Sequence, residues 1–294
     1  MTNKLYEFYK ILILRYLNII CFNFRTSVRS ILLLAVLCSA ALGMKAQENV
    51  SVFTVDMGYA SVHDSYLTPI TYDGIDLGLT YEAMRNVRNN KWLWQLQIGT
   101  DFNYTENKSG NNDIMLLLGD ITFDMQRQWL QAIAHRVNLS AGPMTQLRAG
   151  IAYNDANSNN PVSVRAHWNV GVTSMATLNT RLWRLPVTLR YQAQLPVAGV
   201  FFAPEYDESY YEIYLGNHRN LAHLGWWGNR FDMTNYLGAD LHLGKTILRI
   251  GYRSRLEHWS VNNLKVHDFT HALVLGIGTS FQTTKTIKNN DDND

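Results

Sequence analysis

The sequence predicts an all-β chain that folds as a transmembrane antiparallel up-and-down β-barrel of about 12 strands, with 10 as the alternative count. The chain has 294 residues, and after residue 47 it contains no long apolar run and no sustained helical period. Apolar and polar residues instead alternate with a period of two, which places successive side chains on opposite faces of a strand. Several alternating segments reach 11 residues or more, whereas strands of soluble proteins are commonly about five or six residues long.

The segment 92–104 shows the pattern most clearly. Its apolar set begins with Trp92 and Trp94. The same set ends with Phe102 and Tyr104, so aromatic residues stand at both ends. Twelve steps of about 3.3 Å, tilted by roughly 40–45°, rise about 28–30 Å, which is close to the apolar band of an outer-membrane barrel with its aromatic girdles. The sequence therefore predicts that the apolar face meets lipid and that the polar face lines a lumen.

Ten further segments alternate in the same way, some less cleanly, and in chain order they are 50–60, 75–83, 113–126, 136–153, 162–173, 183–195, 209–216, 230–243, 246–257 and 268–281. Polar, turn-rich stretches separate them. A barrel that begins and ends on the same side of the membrane needs an even number of strands. Strand directions counted from the two termini conflict between 184 and 217, which predicts a missed strand near 195–203 and a total of 12. If two segments merge, the total is 10.

Charged residues are frequent on the predicted lumen faces. The predicted lumen charge network contains eight acids and six arginines: Asp76, Glu82, Asp101, Asp120, Asp124, Glu212, Asp240, Glu257, Arg165, Arg184, Arg190, Arg249, Arg253 and Arg255. His167 and His242 belong to the same polar faces. Such a near balance predicts ion pairs across the lumen, because isolated charges in a narrow interior are costly to desolvate. We therefore expect a closed or narrow lumen. The alternative is a soluble periplasmic β-protein with solvated polar faces.

Several functional classes are disfavoured by composition. The formal net charge is +2 and basic residues are dispersed, so the footprint of a nucleic-acid-binding protein is missing. Both cysteines, Cys21 and Cys38, lie in the first 40 residues, which leaves the later chain without a disulfide framework or a cysteine-bound metal. His218 and His223 are five residues apart with no close third ligand, which is a weak metal pattern. We expect no nucleic-acid partner, no cofactor and no metal.

Residues 1–46 form the predicted leader. Basic residues precede the apolar stretch 31–42, and small or polar residues follow it. This is the three-part pattern of a secretory signal peptide, and the stretch is too short to span a bilayer as a helix. We expect cleavage near Ala46 and export to the outer membrane. Residues 1–27 are interpreted as an over-extended start of the reading frame.

The predicted barrel domain covers residues 47–281. Its last strand closes on Phe281 in the manner of a terminal barrel strand. We therefore expect the barrel-assembly machinery and outer-membrane lipids as partners. Residues 282–294 are polar and charged and cannot add apolar burial, so they are interpreted as a tail.

Three stretches resemble an uncharacterised family of outer-membrane barrels of Gram-negative bacteria, a domain of unknown function. They are LPVAGVFFAPEYDESYYEIYLGN at 195–217, SNNPVSVRA at 158–166 and DSYLTPITYDG at 64–74. The resemblance covers nearly all of the chain after the leader, and its most specific part is PEY followed by SYYE. It implies the fold and an outer-membrane location, but no activity.

A more distant resemblance is to outer-membrane phospholipase A, a 12-stranded barrel with an Asn-His-x-Ser-Asn motif. The matching residues here are Asn217 and His218, but the position of the serine holds Asn220. The nucleophile of a hydrolytic triad is therefore absent from the motif. Asn229 is a loose candidate for the downstream asparagine. The sequence favours a barrel without enzymatic activity over a lipid hydrolase. The role of such a barrel is structural, or it binds a ligand or lets small solutes pass.

Overall fold

The computed structural model describes residues 48–87, 91–133, 137–157, 160–205, 209–216 and 220–282. The predicted leader, with its cleavage near Ala46, and the predicted tail beyond Gln282 lie outside the described residues.

The described chain contains eleven strand segments and one short helix. The first seven strands are β1 (Glu48–Asp64), β2 (Thr71–Val87), β3 (Trp92–Glu106), β4 (Asp113–Ile133), β5 (Val137–Asn154), β6 (Val162–Leu182) and β7 (Leu185–Phe202). They are followed by helix α1 (Tyr210–Tyr214), β8 (Ala222–Trp226), β9 (Arg230–Leu243), β10 (Thr246–Val261) and β11 (Leu264–Gln282).

Antiparallel pairing closes the strands into a barrel of ten strand positions. Each strand from β1 to β6 pairs with the next strand in the chain. Strand β10 pairs with β9 and β11, and β11 also pairs with β1, which closes the ring. The short strand β8 pairs with the end of β7, from Ala198 to Phe202. Strand β9 pairs with the beginning of β7, from Val187 to Gln194. Because β8 and β9 lie one after the other along β7, they occupy a single position in the barrel.

The predicted count of 12 is not confirmed, and the alternative of 10 is. The alternating segment 209–216 forms α1 instead of a strand, because the Ser209 side chain accepts a hydrogen bond from the Glu212 backbone while the Glu212 carboxylate accepts one from the Ser209 backbone. This capping box starts a helix. The expected extra strand near 195–203 is the second half of β7. With both corrections, the strand directions counted from the two termini agree.

The two faces of each strand differ sharply in exposure. On β3, Ile98 is 44% exposed on the outer face, whereas Gln95 is 0% exposed in the lumen. The outer face of the other strands carries exposed apolar residues in the same alternation, such as Val55, Leu79 and Val170. The barrel is thus apolar outside and polar inside. No helix in the described part of the chain is long and apolar enough to cross a membrane.

The two ends of the barrel are different. The first and last described residues, Glu48 and Gln282, lie at the same end of the barrel. At this end β2 connects to β3, β4 to β5, β6 to β7 and β9 to β10. We call this the turn end, because these connections are short, and the opposite end the loop end.

The apolar core fills the lumen at the loop end. Its buried members include Tyr66 and Leu67 from the connection between β1 and β2, together with inward-facing Tyr72, Leu116, Phe201 and Trp259. Tyr210 of α1 packs against this cluster. Its hydroxyl accepts a hydrogen bond of 2.6 Å from the Val164 backbone. The loop end is therefore closed by hydrophobic packing inside the barrel.

Candidate functional site

Glu82 lies near the turn end of the lumen and joins two arginines from distant strands. It projects inward from β2 and is only 2% exposed. Its carboxylate accepts hydrogen bonds from Arg190 of β7 at 2.8 Å and from Arg249 of β10 at 2.7 Å. The Gln95 amide of β3 donates a further bond of 2.9 Å. One carboxylate thus connects four strand positions across the barrel.

Arg249 also forms a two-point pair with Asp240 of β9. Its Nε donates to Asp240 Oδ1 at 2.6 Å and its Nη2 donates to Oδ2 at 2.8 Å. The ring of Tyr236 lies between arginines, with the Arg190 guanidinium carbon 4.6 Å and that of Arg253 5.8 Å from its centroid. Both distances are within the range of cation–π attraction. The arginines are therefore fixed in place as well as neutralised.

A second group of ion pairs lies in the middle of the lumen. Asp101 of β3 pairs with Arg148 of β5 at 3.0 Å and with Arg255 of β10. Arg253 of β10 pairs with Asp56 of β1 and donates to the Thr80 hydroxyl at 3.0 Å. These contacts connect strands that are not neighbours in the sheet.

A third group lies toward the loop end. Arg165 of β6 is 3.1 Å from Asp64 and 3.3 Å from Asp268. Arg230, the first residue of β9, donates to Asp232 at 2.8 Å and to Glu257 at 3.0 Å. The acids and arginines therefore form three successive layers between the turn end and the apolar core.

Two buried carboxylates have no ion pair with an arginine within the described residues. Asp76 accepts a hydrogen bond of 2.6 Å from the Asn103 amide. Asp124 accepts one of 2.7 Å from Gln126, whose carbonyl accepts a bond of 2.6 Å from the Ser140 hydroxyl. Neutral amides thus partner the acids that the arginines do not reach.

The lumen is packed in the middle and open at the turn end. The cavities between the ion-pair layers have volumes of about 20 and 10 Å³, which is room for roughly one water molecule each. A cavity of about 550 Å³ opens at the turn end. We call this cavity the vestibule. Its polar lining includes Asn86, Gln128, Asn138, Ser140, Thr177, Asn179, Thr188, His242 and Ser280, and its charged lining is Arg190 and Asp240.

Residues 30–288 match the sequence model of the family DUF3316, which is described as a protein of unknown function. The chain belongs to the DUF3316 family. The predicted resemblance to an uncharacterised family is confirmed by this match. None of the curated proteins compared with the chain is similar to it in sequence.

Several solved structures are similar to this DUF3316 chain, with TM-scores below 0.5. The outer membrane protease OmpT from Escherichia coli has 6% identity and a TM-score of 0.44, with 81% of this chain and 98% of that chain covered. The transport unit of the autotransporter AIDA-I from Escherichia coli has 8% identity and a TM-score of 0.40, with 79% and 90% covered. Neisserial surface protein A has 12% identity and a TM-score of 0.35, with 79% and 97% covered.

Twelve of the fourteen residues predicted for the lumen network of this DUF3316 chain lie on inward-facing strand positions: Asp76, Glu82, Asp101, Asp120, Asp124, Arg165, Arg190, Asp240, Arg249, Arg253, Arg255 and Glu257. The other two do not. Arg184 is exposed in the turn between β6 and β7, where the alternation of the strands stops. Glu212 lies on α1, outside any strand, and the Ser209 backbone and hydroxyl that donate to it lower the pKa of its carboxyl.

Six further charged residues of the network were missed by the sequence reading: Asp56, Asp64, Arg148, Arg230, Asp232 and Asp268. Asp56 and Arg148 lie in the two segments whose alternation is less regular. The other four lie at or near strand ends. Only Asp64 lies beyond its predicted segment, 50–60. The other five lie inside predicted segments, and counting every charged residue on the polar face of each segment would have included them.

Of the three weak catalytic candidates, only Asn229 lies in the described part of the family member. Asn217 and His218 lie outside the described residues. Asn229 is engaged in a local turn, since its Oδ1 accepts from the Trp226 backbone at 2.9 Å and its Nδ2 donates to the Leu224 carbonyl at 2.8 Å. Among the described residues, no group of three or more His, Cys, Asp or Glu side chains is arranged to hold a metal ion.

Proposed function

We propose that this DUF3316 chain is an integral outer-membrane protein that does not conduct solutes and binds a small polar ligand in its vestibule. The observation that supports this proposal is the contrast between a packed middle of the lumen and an open cavity of about 550 Å³ at one end. A cavity of this size lies within the range of roughly 300–1,000 Å³ typical of small-molecule sites.

The outer face supports a position in a membrane. Large apolar side chains are exposed on strand after strand, among them Phe53, Leu117, Trp168 and Leu275. Soluble monomers rarely expose contiguous apolar patches larger than a few hundred Å², which disfavours the alternative of a soluble periplasmic protein. Only a closed barrel or helices satisfy the backbone within a bilayer, and the closed strand pairing meets this requirement.

The two ends suggest the orientation. Outer-membrane barrels have short periplasmic turns and longer extracellular loops. The turn end therefore faces the periplasm in this proposal, and so does the vestibule. The loop end, with its apolar core, closes the barrel toward the outside.

The lining of the vestibule suggests the class of ligand. Nine of its twenty lining residues carry amide or hydroxyl groups and seven are apolar, among them Leu93 and Met175. The charged lining residues Arg190 and Asp240 are already neutralised by Glu82 and Arg249. Amide and hydroxyl groups donate and accept hydrogen bonds without a net charge. A neutral ligand that bears hydroxyl and amide groups, of about the size of a disaccharide, fits both the volume and the chemistry.

Closure of the lumen predicts the behaviour of the purified protein in planar bilayers. We expect little or no steady conductance, because the ion-pair layers leave no continuous column of water. Replacing Arg190, Arg249 and Arg253 together by alanine should produce a leak. A large and stable ion-selective conductance of the unmodified protein would contradict the closed lumen and favour a channel.

Single cysteines can test the vestibule. In a chain whose Cys21 and Cys38 are replaced by serine, we expect Thr177→Cys in the vestibule to react with a water-soluble maleimide. The matched lumen variant Thr122→Cys, which replaces a 1% exposed residue between the ion pairs, should remain unlabelled. N,N′-diacetylchitobiose, a neutral disaccharide with acetamide groups, is expected to slow labelling at position 177.

Each outcome of this experiment bears on one part of the proposal. Labelling at both positions would show that the lumen is open, and labelling at neither would show that the vestibule is inaccessible. Unchanged labelling of Thr177→Cys at a saturating sugar concentration would contradict the proposed class of ligand while leaving the closed lumen intact.

A further inference from the structure

Three histidines form a row across three adjacent strands on the outer face of the barrel. His267 of β11 lies directly opposite His63 of β1 in the strand register. On its other side it lies opposite His258 of β10. Neighbouring strands are about 4.8 Å apart, so three imidazoles are held side by side by the backbone itself.

The closest contact in this row is between His258 and His267. Their ring centroids are 5.5 Å apart with an angle of 64° between the ring planes. Both side chains are exposed. The pair is therefore accessible from outside the barrel, and its accessibility does not depend on the lumen or the vestibule.

The row also differs from the other described histidines in its hydrogen bonding. The rings of His167, His223, His242 and His271 contact Arg230, the Ala203 carbonyl, Thr188 and Tyr252, respectively. Within the described residues, His63, His258 and His267 make no such hydrogen bond. Their ring nitrogens are thus available to a ligand.

We propose that His258 and His267 bind a divalent transition metal ion, such as Zn²⁺, Ni²⁺ or Cu²⁺, on the outer rim of the barrel. Neutral imidazole is a preferred ligand of these ions. Two imidazoles supply part of the coordination sphere, and water completes it. His63 flanks the pair on the opposite side of His267. A two-histidine site agrees with the finding that no group of three ligands is preformed in the described chain.

The position along the strands makes the site accessible to ions. On β11, His267 lies four residues closer to the loop end than His271, which contacts the outward-facing Tyr59 and Tyr252 rings. Four residues of a tilted strand rise about 10 Å. If the tyrosines form an interfacial girdle, as the proposed membrane position implies, the histidine pair lies beyond it toward the water.

Charge favours a metal over an anion as the occupant. An anionic headgroup would need protonated rings, and like charges directly opposite each other on neighbouring strands are destabilising. Lys265 lies two residues from His267 on the same face and is exposed, so it is the residue through which an anion would compete. Neutral rings avoid the repulsion and are the form that binds a metal.

The experiment titrates the refolded protein with Zn²⁺ alone, using a chromogenic chelator as competitor, and measures the midpoint of thermal unfolding in parallel. We expect one Zn²⁺ per chain and a rise in the unfolding midpoint, because an ion that binds only the folded state stabilises it. His258→Gln and His267→Gln should each weaken Zn²⁺ binding about tenfold or more. Even the loss of a residue that only hydrogen-bonds to a metal ligand lowers metal affinity about 10–100-fold. His63→Gln should have a smaller effect.

His271→Gln is the matched control, because His271 lies on the same face of β11 and its ring already contacts Tyr252. We expect this variant to bind Zn²⁺ as the native protein does. Native affinity in His267→Gln, an equal loss in His271→Gln, or binding of inorganic phosphate in place of Zn²⁺ would overturn the proposal. Conductance and vestibule labelling should be unchanged in all four variants, which separates this test from that of the proposed function.

Discussion

Replacing Glu82 by alanine is expected to destabilise the barrel by about 3–5 kcal/mol, because removing one partner of a buried ion pair leaves the other charge uncompensated. Two guanidiniums depend on this carboxylate, those of Arg190 and Arg249. Asp240 still pairs with Arg249 in the variant, but Arg190 has no other described carboxylate within ion-pair distance. The loss should therefore appear as a lower urea midpoint of unfolding of the protein in lipid vesicles.

Glu106→Ala is the matched control for this prediction. Glu106 is also a strand glutamate, but it is the last residue of β3 and is exposed. We expect its replacement to change the unfolding midpoint little, as exposed charges contribute little to stability. Glu82→Gln should be intermediate, since the amide retains an oxygen that accepts from the arginines. Equal midpoints for Glu82→Ala and Glu106→Ala would show that water reaches the Glu82 site and that the lumen is not closed there.

The sequence alone predicts the faces of the strands well, for a clear physical reason. A side chain on a strand has only two directions, and lipid outside with polar groups inside requires a strict alternation. The parity of Trp92 and Ile98 therefore determines the outward face of β3, and the parity of Gln95 and Asp101 determines its lumen face. The same rule placed twelve of the fourteen network residues on inward positions.

The segment that misled the strand count shows where the rule ends. In 209–216, Tyr211, Ile213 and Leu215 share one parity, which also suits a strand. The pair of Ser209 and Glu212 nevertheless starts a helix. A local capping interaction is decisive here, because this segment is not paired with a neighbouring strand. The capping signal Ser-x-x-Glu was present in the sequence, and it distinguishes the helix from the strand.

The partners within the lumen could not be predicted from alternation. Glu82 and Arg249 are 167 residues apart, and they meet only because the closed ring of strands turns β2 and β10 toward the same lumen. Whether two such residues lie at the same height along the barrel depends on the register of all the strands between them. The vestibule was missed for the same reason: its amide and hydroxyl residues come from distant strands that share only their height near the turn end.

Placing an arginine on the middle of the outer face is expected to cost about 2–4 kcal/mol, whereas the same residue near the membrane boundary should cost only about 0–1 kcal/mol. Strand β6 offers both positions on one face. Val170, near its middle, is 44% exposed, and Leu182, its last residue, is 62% exposed. Leu79, near the middle of β2 and 48% exposed, provides a second central position on another strand.

Val170→Arg and Leu79→Arg should therefore lower the urea midpoint of unfolding in lipid vesicles, and Leu182→Arg should leave it close to that of the native protein. All three side chains are well exposed in the isolated barrel, so lost packing between strands cannot produce this order. In a soluble barrel the three variants would be equally tolerated, because each arginine would be solvated by water. A loss of stability that depends on height along β6, and not on exposure, can arise only if the middle of the outer face is surrounded by hydrocarbon.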